Sequence, residues 1–361
     1  MNKCAIIIPA LNPTDRLVDY VNRLIEKGIS QVIVVNDGSK SELLYIFKQL
    51  GKIDGCTVLS HNENQGKGRA LKTAFTYTLQ HFNNLIGAVT ADADGQHSID
   101  DVCEVARALE ENPKKFILGV RDFTHSDVPA RSLIGNRITS TIFRFLYGYN
   151  LKDTQTGLRG FSMDNLSWMV KLKGERYEFE INMLIHAKKK NLEINEVPIQ
   201  TLYFENNTGS HYHPIADSLR VFWKLITGLL YYSISTICSG IIDIVFFVFL
   251  LSFLFVSFPL KSRIFLATLI ARIISSVFNF YMNRGLVFRG SNTVTQSLIK
   301  YYLLCFGLIF ASFTLVIIAN IFLNGNLIFS KICIDTFLGI VSYKLQLQWV
   351  FKKKKMVGES L

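Results

Sequence analysis

Residues 301–330 form a run of thirty residues without one charged side chain. About 20 apolar residues suffice to cross a bilayer. In hydrocarbon every backbone amide must be satisfied within the chain, so this run reads as a membrane helix. Its surroundings agree. Residues 225–361 hold only three acids, Asp243, Asp335 and Glu359, against twelve of the 39 Lys and Arg, and so carry +9. Residues 1–224 mix charged and apolar side chains and carry +2. The excess base therefore sits at membrane flanks, and the basic balance does not point to nucleic acid.

Four spans are expected near 233–257, 264–283, 301–323 and 332–350. Arg284, Arg289 and Lys300 flank one loop, and Lys352 to Lys355 follow the last span. By the positive-inside rule both are cytoplasmic, and four spans then put both termini and residues 1–213 in the cytoplasm of a multi-pass cell-membrane protein. Lys261 and Arg263, in a loop on the other side, run against the rule. Asp243, Arg272, and Asp335 with Lys344 are ionisable residues inside spans, where such groups face a bundle interior or a polar path. A weak repeat of 63 residues aligns Asn283-Arg284-Gly285-Leu286-Val287-Phe288-Arg289 with Gln346-Leu347-Gln348-Trp349-Val350-Phe351-Lys352. It sets Arg272 opposite Asp335 and predicts two similar helical hairpins with an Arg272–Asp335 pair. Ahead of them, residues 217–225 are amphipathic, with Val221, Phe222 and Trp223 on the apolar side. They are expected in the membrane interface, within a linker at 214–230. Residues 353–361 make a basic tail. The six cysteines are scattered and contain no Cys-x-x-Cys, as in reduced packing residues. The five apolar residues before Pro9 are too few for a signal-peptide core and fit a first strand.

Residues 1–213 alternate strand and helix signals. Strands are expected at 4–8, 31–35, 57–60, 85–90 and 115–120, with an edge strand at 192–197; helices at 15–27, up to about 82, at 100–111 and at 178–190. Such alternation builds a parallel sheet whose ligand lies at the carboxyl ends of its strands. There stand Pro9-Ala10-Leu11-Asn12, Asn36-Asp37-Gly38-Ser39, Gly66-Lys67-Gly68-Arg69 and Asp92-Ala93-Asp94-Gly95-Gln96-His97. Two carboxylates one residue apart suit a hard divalent cation, Mg²⁺ or Mn²⁺, that keeps positions open for substrate phosphates. The plainer alternative is an acidic loop before a helix capped by Ser98. Asp37 either bonds a base or ribose or serves its turn. Gly66 and Gly68 allow close backbone approach, and Lys67 and Arg69 bring charge to a helix start, a combination that holds a diphosphate. The spacing is neither a Walker loop nor a Rossmann fingerprint. Residues 129–149, with Arg131, Arg137 and Arg144 among apolar side chains, are either a packed amphipathic helix or a surface that meets a lipid phosphate. Residues 153–161 read as a polar, glycine-bearing loop, and 206–214 as another, with Ser210, His211 and His213.

Taken in order, these motifs resemble family 2 glycosyltransferases of the GT-A fold over roughly residues 1–225. Within that family they resemble the polyprenyl-phosphate sugar synthases, such as dolichyl-phosphate mannose synthase and the bactoprenol glucosyltransferases. Residues 231–352 resemble a GtrA-like membrane domain through Asn279-Phe280-Tyr281-Met282-Asn283-Arg284 and Val287-Phe288. The resemblance implies an α/β GT-A domain with a mostly parallel central sheet, followed by an all-α four-helix transmembrane domain. It implies that Asp92, Asp94 and Gln96 hold the metal, and that Pro9, Asn12, Asp37, Lys67, Gly68 and Asp92, with Ser210 and His211, contact the donor. Arg121, Arg131 and Arg159 would meet the acceptor phosphate, and Asp153 would join Asp92 and Asp94 in the transfer step. The implied partners are a UDP- or GDP-linked sugar, a polyprenyl phosphate such as undecaprenyl phosphate, the membrane and a downstream membrane glycosyltransferase, with homo-oligomers compatible. The implied reaction inverts the anomeric carbon, for cell-wall or surface glycans. Many relatives carry an acid where this chain has Pro13; Asp15 is the nearest replacement. Two alternatives stand beside this reading. A processive polysaccharide synthase would carry Gln-x-x-Arg-Trp, but no tryptophan here follows an arginine. A glycolipid transporter would use the spans, with the first domain accessory.

Overall fold

The computed structural model describes residues 3–123, 130–200, 214–288, 290, 292–323 and 327–351. The chain divides into two units, Met1–Leu225 and Ile226–Leu361. In the first, β1 (Cys4–Ala10), β2 (Gln31–Asp37), β3 (Cys56–His61), β4 (Gly87–Thr90), β5 (Phe116–Arg121), β6 (Arg159–Ser162) and β7 (Ile194–Ile199) form one sheet in the order β3-β2-β1-β4-β6-β5-β7. All neighbours are parallel except β6, which runs antiparallel to β4 and β5. The strands are apolar throughout because both faces are covered. In β1, Cys4, Ile6 and Ile8 enter one core with α1 (Arg16–Glu26), α2 (Leu44–Leu50) and α4 (Ile99–Glu111). Ala5 and Ile7 enter the other, with α3 (Lys67–His81), α5 (Ala130–Tyr147), α6 (Met163–Met169) and α7 (Glu178–Lys189). Ser98 does cap α4, accepting from the Asp101 N–H at 3.0 Å.

The expected loop at 153–161 is shorter than the sequence indicates. It ends at Leu158, and Arg159 opens strand β6. Arg159 looked like a loop residue because it is charged, yet its side chain is fully buried. Its guanidinium donates to the carbonyls of Thr156 at 2.8 Å, Glu180 at 2.6 Å and Thr154 at 3.2 Å. A buried cation is tolerable when its donors are matched, and here they tie the loop to α7. This placement corrects the acceptor-phosphate role expected of Arg159, whose donors are already committed inside the fold.

The second unit is helical. α8 (Pro214–Phe249) starts in the first unit and runs on into the second, followed by α9 (Leu260–Met282), α10 (Val294–Leu323) and α11 (Leu327–Leu345). The separate interfacial helix expected at 217–225 is therefore the first part of a continuous helix, since no proline interrupts it. Val221 and Leu225 are buried in the first unit's core, whereas Phe222 and Trp223 are exposed. Among the described residues, Leu219–Leu254, Leu260–Val287 and Val294–Ala319 are long and apolar enough to cross a membrane.

The 63-residue repeat appears as contacts. α9 and α11 each end in one π-helical turn, Asn283–Val287 and Gln346–Val350. Asn283 Nδ2 donates to Gln346 Oε1 at 3.1 Å, and Phe288 stacks on Phe351 at 5.3 Å; both pairs join residues 63 apart. Phe280–Phe351 at 5.7 Å is mirrored by Phe288–Tyr343 at 5.4 Å. The Tyr301 hydroxyl donates to Asn279 Oδ1 at 2.8 Å, and Tyr232 likewise reaches Ser342 Oγ at 2.9 Å. These reciprocal contacts are those of two hairpins related by a pseudo-two-fold. The expected Arg272–Asp335 pair is not formed, because each acid finds a base or hydroxyl in its own hairpin. Arg272 Nη2 lies 3.3 Å from Asp243 Oδ2, and Asp335 pairs with Lys331 at 2.9 Å and with Ser312 Oγ at 2.6 Å.

Arg159→Met strips three buried carbonyls of a donor at once, and is expected to destabilise the first unit by about 3 kcal/mol. Thermal unfolding of the full chain in detergent checks this; an unchanged melting temperature would show that the carbonyls find other partners.

Candidate active site

The site is built where β1, β2, β4 and β5 end. Asn12 follows β1 in a left-handed conformation, φ 45°, which asparagine tolerates better than most residues. Its N–H donates to Ser39 Oγ at 2.8 Å, and its Oδ1 accepts from the Lys40 N–H at 2.9 Å, so the loops after β1 and β2 are bound together. Pro9 is inside β1, opposite Val35. Asp37 closes β2 and is buried. Its Oδ1 meets His61 Nδ1 at 2.8 Å and accepts from the Gln65 N–H at 3.0 Å, while Oδ2 accepts from the Gly66 N–H at 2.8 Å. In the chain alone, Asp37 holds the turn into α3.

That turn delivers Lys67 as the first residue of α3. Gly66 has φ 99°, and a Cβ on Gly68 would lie 2.6 Å from Phe179 Cβ. The close approach expected of Gly68 is thus made by the start of α7, which crosses the start of α3. Lys67 Nζ lies 2.6 Å from Asp92 Oδ1 and 2.9 Å from Glu180 Oε1. Glu180 did not stand out in the sequence, where it reads as one of two acids favouring the N-terminus of α7. Its only signal there is that it is an acid on a helix buried almost all round.

Asp92 and Asp94 follow β4. Burial works to raise the Asp92 carboxyl, but the Lys67 ammonium and His97 overturn it and hold it far below the ordinary carboxylate range. His97 Nε2 is 3.4 Å from Asp92 Oδ2, within reach of charge attraction without hydrogen-bond alignment, and neither ring nitrogen has a hydrogen-bond partner within the protein. The Tyr20 hydroxyl pins the His97 carbonyl at 2.9 Å. Asp94 goes the other way: burial, then the charge of Asp92, raise its carboxyl above the ordinary value. Its Oδ1 accepts from the Gln96 N–H at 3.1 Å. Gly157 supplies the room, since a Cβ there would lie 2.5 Å from Asp92 Oδ2. Thr90 Oγ1 donates to the Gly157 carbonyl at 2.7 Å, locking this loop to β4.

The same loop carries Asp153, which is fully buried. Arg121, at the end of β5, grips it with two hydrogen bonds, Nε to Oδ2 at 2.6 Å and Nη2 to Oδ1 at 3.0 Å. Asp153 Oδ1 also accepts from the N–H groups of Gln155 and Thr156. Asn136 of α5 joins in, with Nδ2 donating to the Lys152 carbonyl and Oδ1 accepting from the Thr154 N–H. Arg131 lies in the first turn of α5, though its side chain is outside the described residues, as are Ser210 and His211.

The structure thus gathers Lys67, Asp92, Asp94, His97, Gly157 and Glu180, and fixes Arg121 on Asp153 through the loop that also bears Gly157. Among the described residues no group of three or more His, Cys, Asp and Glu is placed to enclose a metal ion. Asp92 and Asp94 nevertheless crowd enough for one charge to disfavour the other, and Gln96 adds an amide oxygen to the sequence of the turn. A few oxygen ligands of this kind fit Mg²⁺ or Mn²⁺ when substrate phosphates complete the coordination. Gly157→Ala forces a methyl group against the Asp92 carboxylate. It is expected to lower activity by at least about tenfold while circular dichroism and melting stay near wild type, since the change is one methyl group at the site's edge. Wild-type turnover would show that Asp92 has other room to move.

The comparisons with known proteins bear on this geometry. Residues 5–167 match the family described as glycosyl transferase family 2. The UDP-N-acetylglucosamine–dolichyl-phosphate N-acetylglucosaminyltransferase of Methanococcus voltae is 31% identical over 238 residues, covering 61% of this chain and 94% of that one. The dolichyl-phosphate beta-glucosyltransferase of Saccharomyces cerevisiae is 28% identical over 226 residues, covering 54% of this chain and 65% of that one. Among solved structures, glucosyl-3-phosphoglycerate synthase from Mycobacterium tuberculosis, in complex with Mn²⁺, uridine diphosphate and phosphoglyceric acid, superposes with a TM-score of 0.48 at 15% identity, covering 63% of this chain and 78% of that one. With an α/β sheet of the GT-A kind and a relative matched over nearly its whole length, the chain belongs to glycosyl transferase family 2 and is a glycosyltransferase.

Proposed function

We propose that the protein transfers a sugar from a nucleotide diphosphate sugar to a polyprenyl phosphate at the cytoplasmic face of the membrane, with inversion at the anomeric carbon, for cell-wall or surface glycans. The observation that carries this reading is Arg121 held in two hydrogen bonds by Asp153, on the loop that also borders the Asp92 carboxylate. Such an arrangement offers a fixed cation for one phosphate beside an acid pair that suits the diphosphate of another substrate.

Asp92, Asp94 and Gln96 would hold a divalent cation, which would supply positive charge beside the donor diphosphate. Lys67, poised between Asp92 and Glu180, adds a second positive charge on the donor side. The loops at Pro9, Asn12 and Asp37 form the nucleotide side, with Gly68 setting the packing beneath Lys67 and Ser210 and His211 contributing from the later loop. A phosphate monoester is largely dianionic at neutral pH and needs little help from a base. What it needs is to be held in line, and Arg121 and Arg131 do that. Asp153 acts as a positioning residue: its lone pairs are committed to Arg121 and to two backbone amides. A single displacement inverts the anomeric centre. The second unit anchors the enzyme with four spans, in a GtrA-like manner, so that a lipid acceptor reaches the end of the sheet and both termini stay cytoplasmic. The relatives named for dolichyl-phosphate transfer support the acceptor class.

The test uses the full chain in detergent with undecaprenyl or dolichyl phosphate, Mn²⁺ and a panel of radiolabelled UDP- and GDP-sugars. Label from one donor is expected in the organic phase, falling at least about a hundredfold in Asp94→Ala. No organic-phase label from any donor, with the protein folded and binding nucleotide, overturns the reading. A second measurement follows from Asp94. Its carboxyl is raised, so a proton competes with the cation already above the ordinary carboxylate range. Mn²⁺ binding read by electron paramagnetic resonance should weaken as pH falls from neutral. Affinity independent of pH would show that Asp94 takes no part.

A further inference from the structure

His97 is a buried imidazole without a settled partner. Its side chain is 4% exposed, and neither Nδ1 nor Nε2 has a hydrogen-bond partner among the described residues. Idle ring nitrogens away from water cost free energy, and a phenyl ring would fill the same space without that cost. Core packing therefore does not account for an imidazole at this position. Its backbone is fixed on both sides. The Tyr20 hydroxyl of α1 donates to the His97 carbonyl at 2.9 Å, and the next residue, Ser98, caps α4 by accepting from the Asp101 N–H at 3.0 Å. A ring carried on such a backbone is held in one place.

That place borders one oxygen of Asp92. Lys67 grips the other, with Nζ 2.6 Å from Oδ1, and is shared with Glu180 at 2.9 Å. Oδ2 lies in a slot between the loop and the ring: a Cβ on Gly157 would come within 2.5 Å of it, and His97 Nε2 stands 3.4 Å away. A shift of a few tenths of an ångström brings Nε2 and Oδ2 to hydrogen-bond length. An ionised carboxylate can only accept, so the imidazole is the donor, from Nε2. The kind of donor matters. A second lysine at this place would match the charge that Lys67 leaves over among Asp92 and Glu180, and less would remain for a cation. A neutral imidazole gives the carboxylate direction and leaves its charge in place.

We infer that His97 is a positioning residue for Asp92: its Nε2–H closes on Oδ2 when a divalent cation binds, so that Lys67 and His97 together fix the carboxylate that the cation meets. The inference rests on the reading that Asp92 and Asp94 hold such a cation. It gives Asp92 two holders with different tasks. Lys67 keeps the carboxylate ionised, and His97 aims it. Hydrogen-bond partners that orient a metal-binding group in this way are worth about ten- to a hundredfold in metal affinity.

The experiment reads Mn²⁺ binding to the full chain in detergent at neutral pH by electron paramagnetic resonance, with and without UDP. Wild type is compared with His97→Phe, His97→Gln and His97→Asn. Glutamine places an amide N–H near the position of Nε2, whereas asparagine reaches only to that of Nδ1. His97→Phe and His97→Asn should weaken Mn²⁺ binding by at least about tenfold, and His97→Gln should restore most of it. Melting of the metal-free protein should not separate glutamine from asparagine, so the order of affinities reports the place of the donor and not the state of the fold. If His97→Phe fails to fold, the contrast between glutamine and asparagine carries the test alone. Wild-type affinity in His97→Asn, glutamine no better than asparagine, or no Mn²⁺ binding by the wild-type chain would each overturn the inference. Binding is read without a sugar donor and so independently of transfer. Absent transfer with the expected order of affinities removes the functional reading; intact transfer without that order removes this inference alone.

Discussion

An ammonium buried between two carboxylates sets the terms for the whole first unit. Lys67 bridges Asp92 and Glu180 from the start of α3, and each of the three comes from a different element. Burial alone would push the lysine towards neutrality, but the two carboxylates overturn that and raise its pKa. Removing either carboxylate leaves charge unmatched in a poorly solvated place, so the elements that carry them are held to one another. The crossing of α7 over α3 follows from this, and with it the need for glycine at position 68, where Phe179 comes within contact. The trio has two negative charges and one positive. It leaves Asp92 ionised and in want of more positive charge, which is the state in which an acid pair is useful to a diphosphate and its cation.

The loop from 153 to 158 is the second organising feature, and it works through the scaffold beneath it. Its aspartate is buried and grips Arg121; its glycine makes room for Asp92; its carbonyls are held by Arg159 from below. One short segment thus sets the positions of the cation at the end of β5 and the carboxylate at the end of β4. The inserted antiparallel strand β6 fixes it there, since β6 lies between β4 and β5 and its first residue, Arg159, stands opposite Thr90 at the end of β4. Arg159 is the residue that makes such an insertion stable, by satisfying carbonyls that a short strand and a tight loop leave over.

Most of this unit was legible in the sequence because its signals are local. An apolar run ending in Asn-Asp-Gly-Ser or in Asp-Ala-Asp-Gly can hardly be other than a strand and its turn, and the order of the motifs carries the family. What was not legible depends on partners far along the chain. Arg159 and Asp153 look like polar loop residues until the sheet is closed around them. Glu180 looks like a helix-start acid, and only the crossing of α3 brings Lys67 to it. Gly68 reads as a phosphate cradle, whereas the space it opens is taken by α7. In the membrane unit the four helices and the repeat could be read from hydropathy and spacing, but the ionic partners could not. Arg272 and Asp335 are matched in the alignment, yet a repeat matches positions and does not make them neighbours.

That distinction also explains how the membrane unit is built. At the π-helical ends of α9 and α11 the repeat is kept in chemistry as well as in position: Asn283 meets Gln346, Phe288 meets Phe351, and each hairpin lends a tyrosine to the other side of the pattern. Towards the ionic residues the chemistry is kept in part: each acid accepts from a serine hydroxyl on the facing helix, Asp243 from Ser275 at 3.0 Å and Asp335 from Ser312 at 2.6 Å, but the bases differ. The first hairpin places its acid on α8 and an arginine on α9; the second places Ser312 on α10 and its acid on α11, with the lysine one turn away. A structural repeat under no further constraint would be expected to match side chains at both ends. Packing alone accounts for the amide and aromatic end, where equivalent residues touch. It does not by itself fix the base, which is Arg272 on the helix facing the acid in the first hairpin and Lys331 on the acid's own helix in the second. The likeness of the two hairpins is therefore greatest where the two halves must hold together.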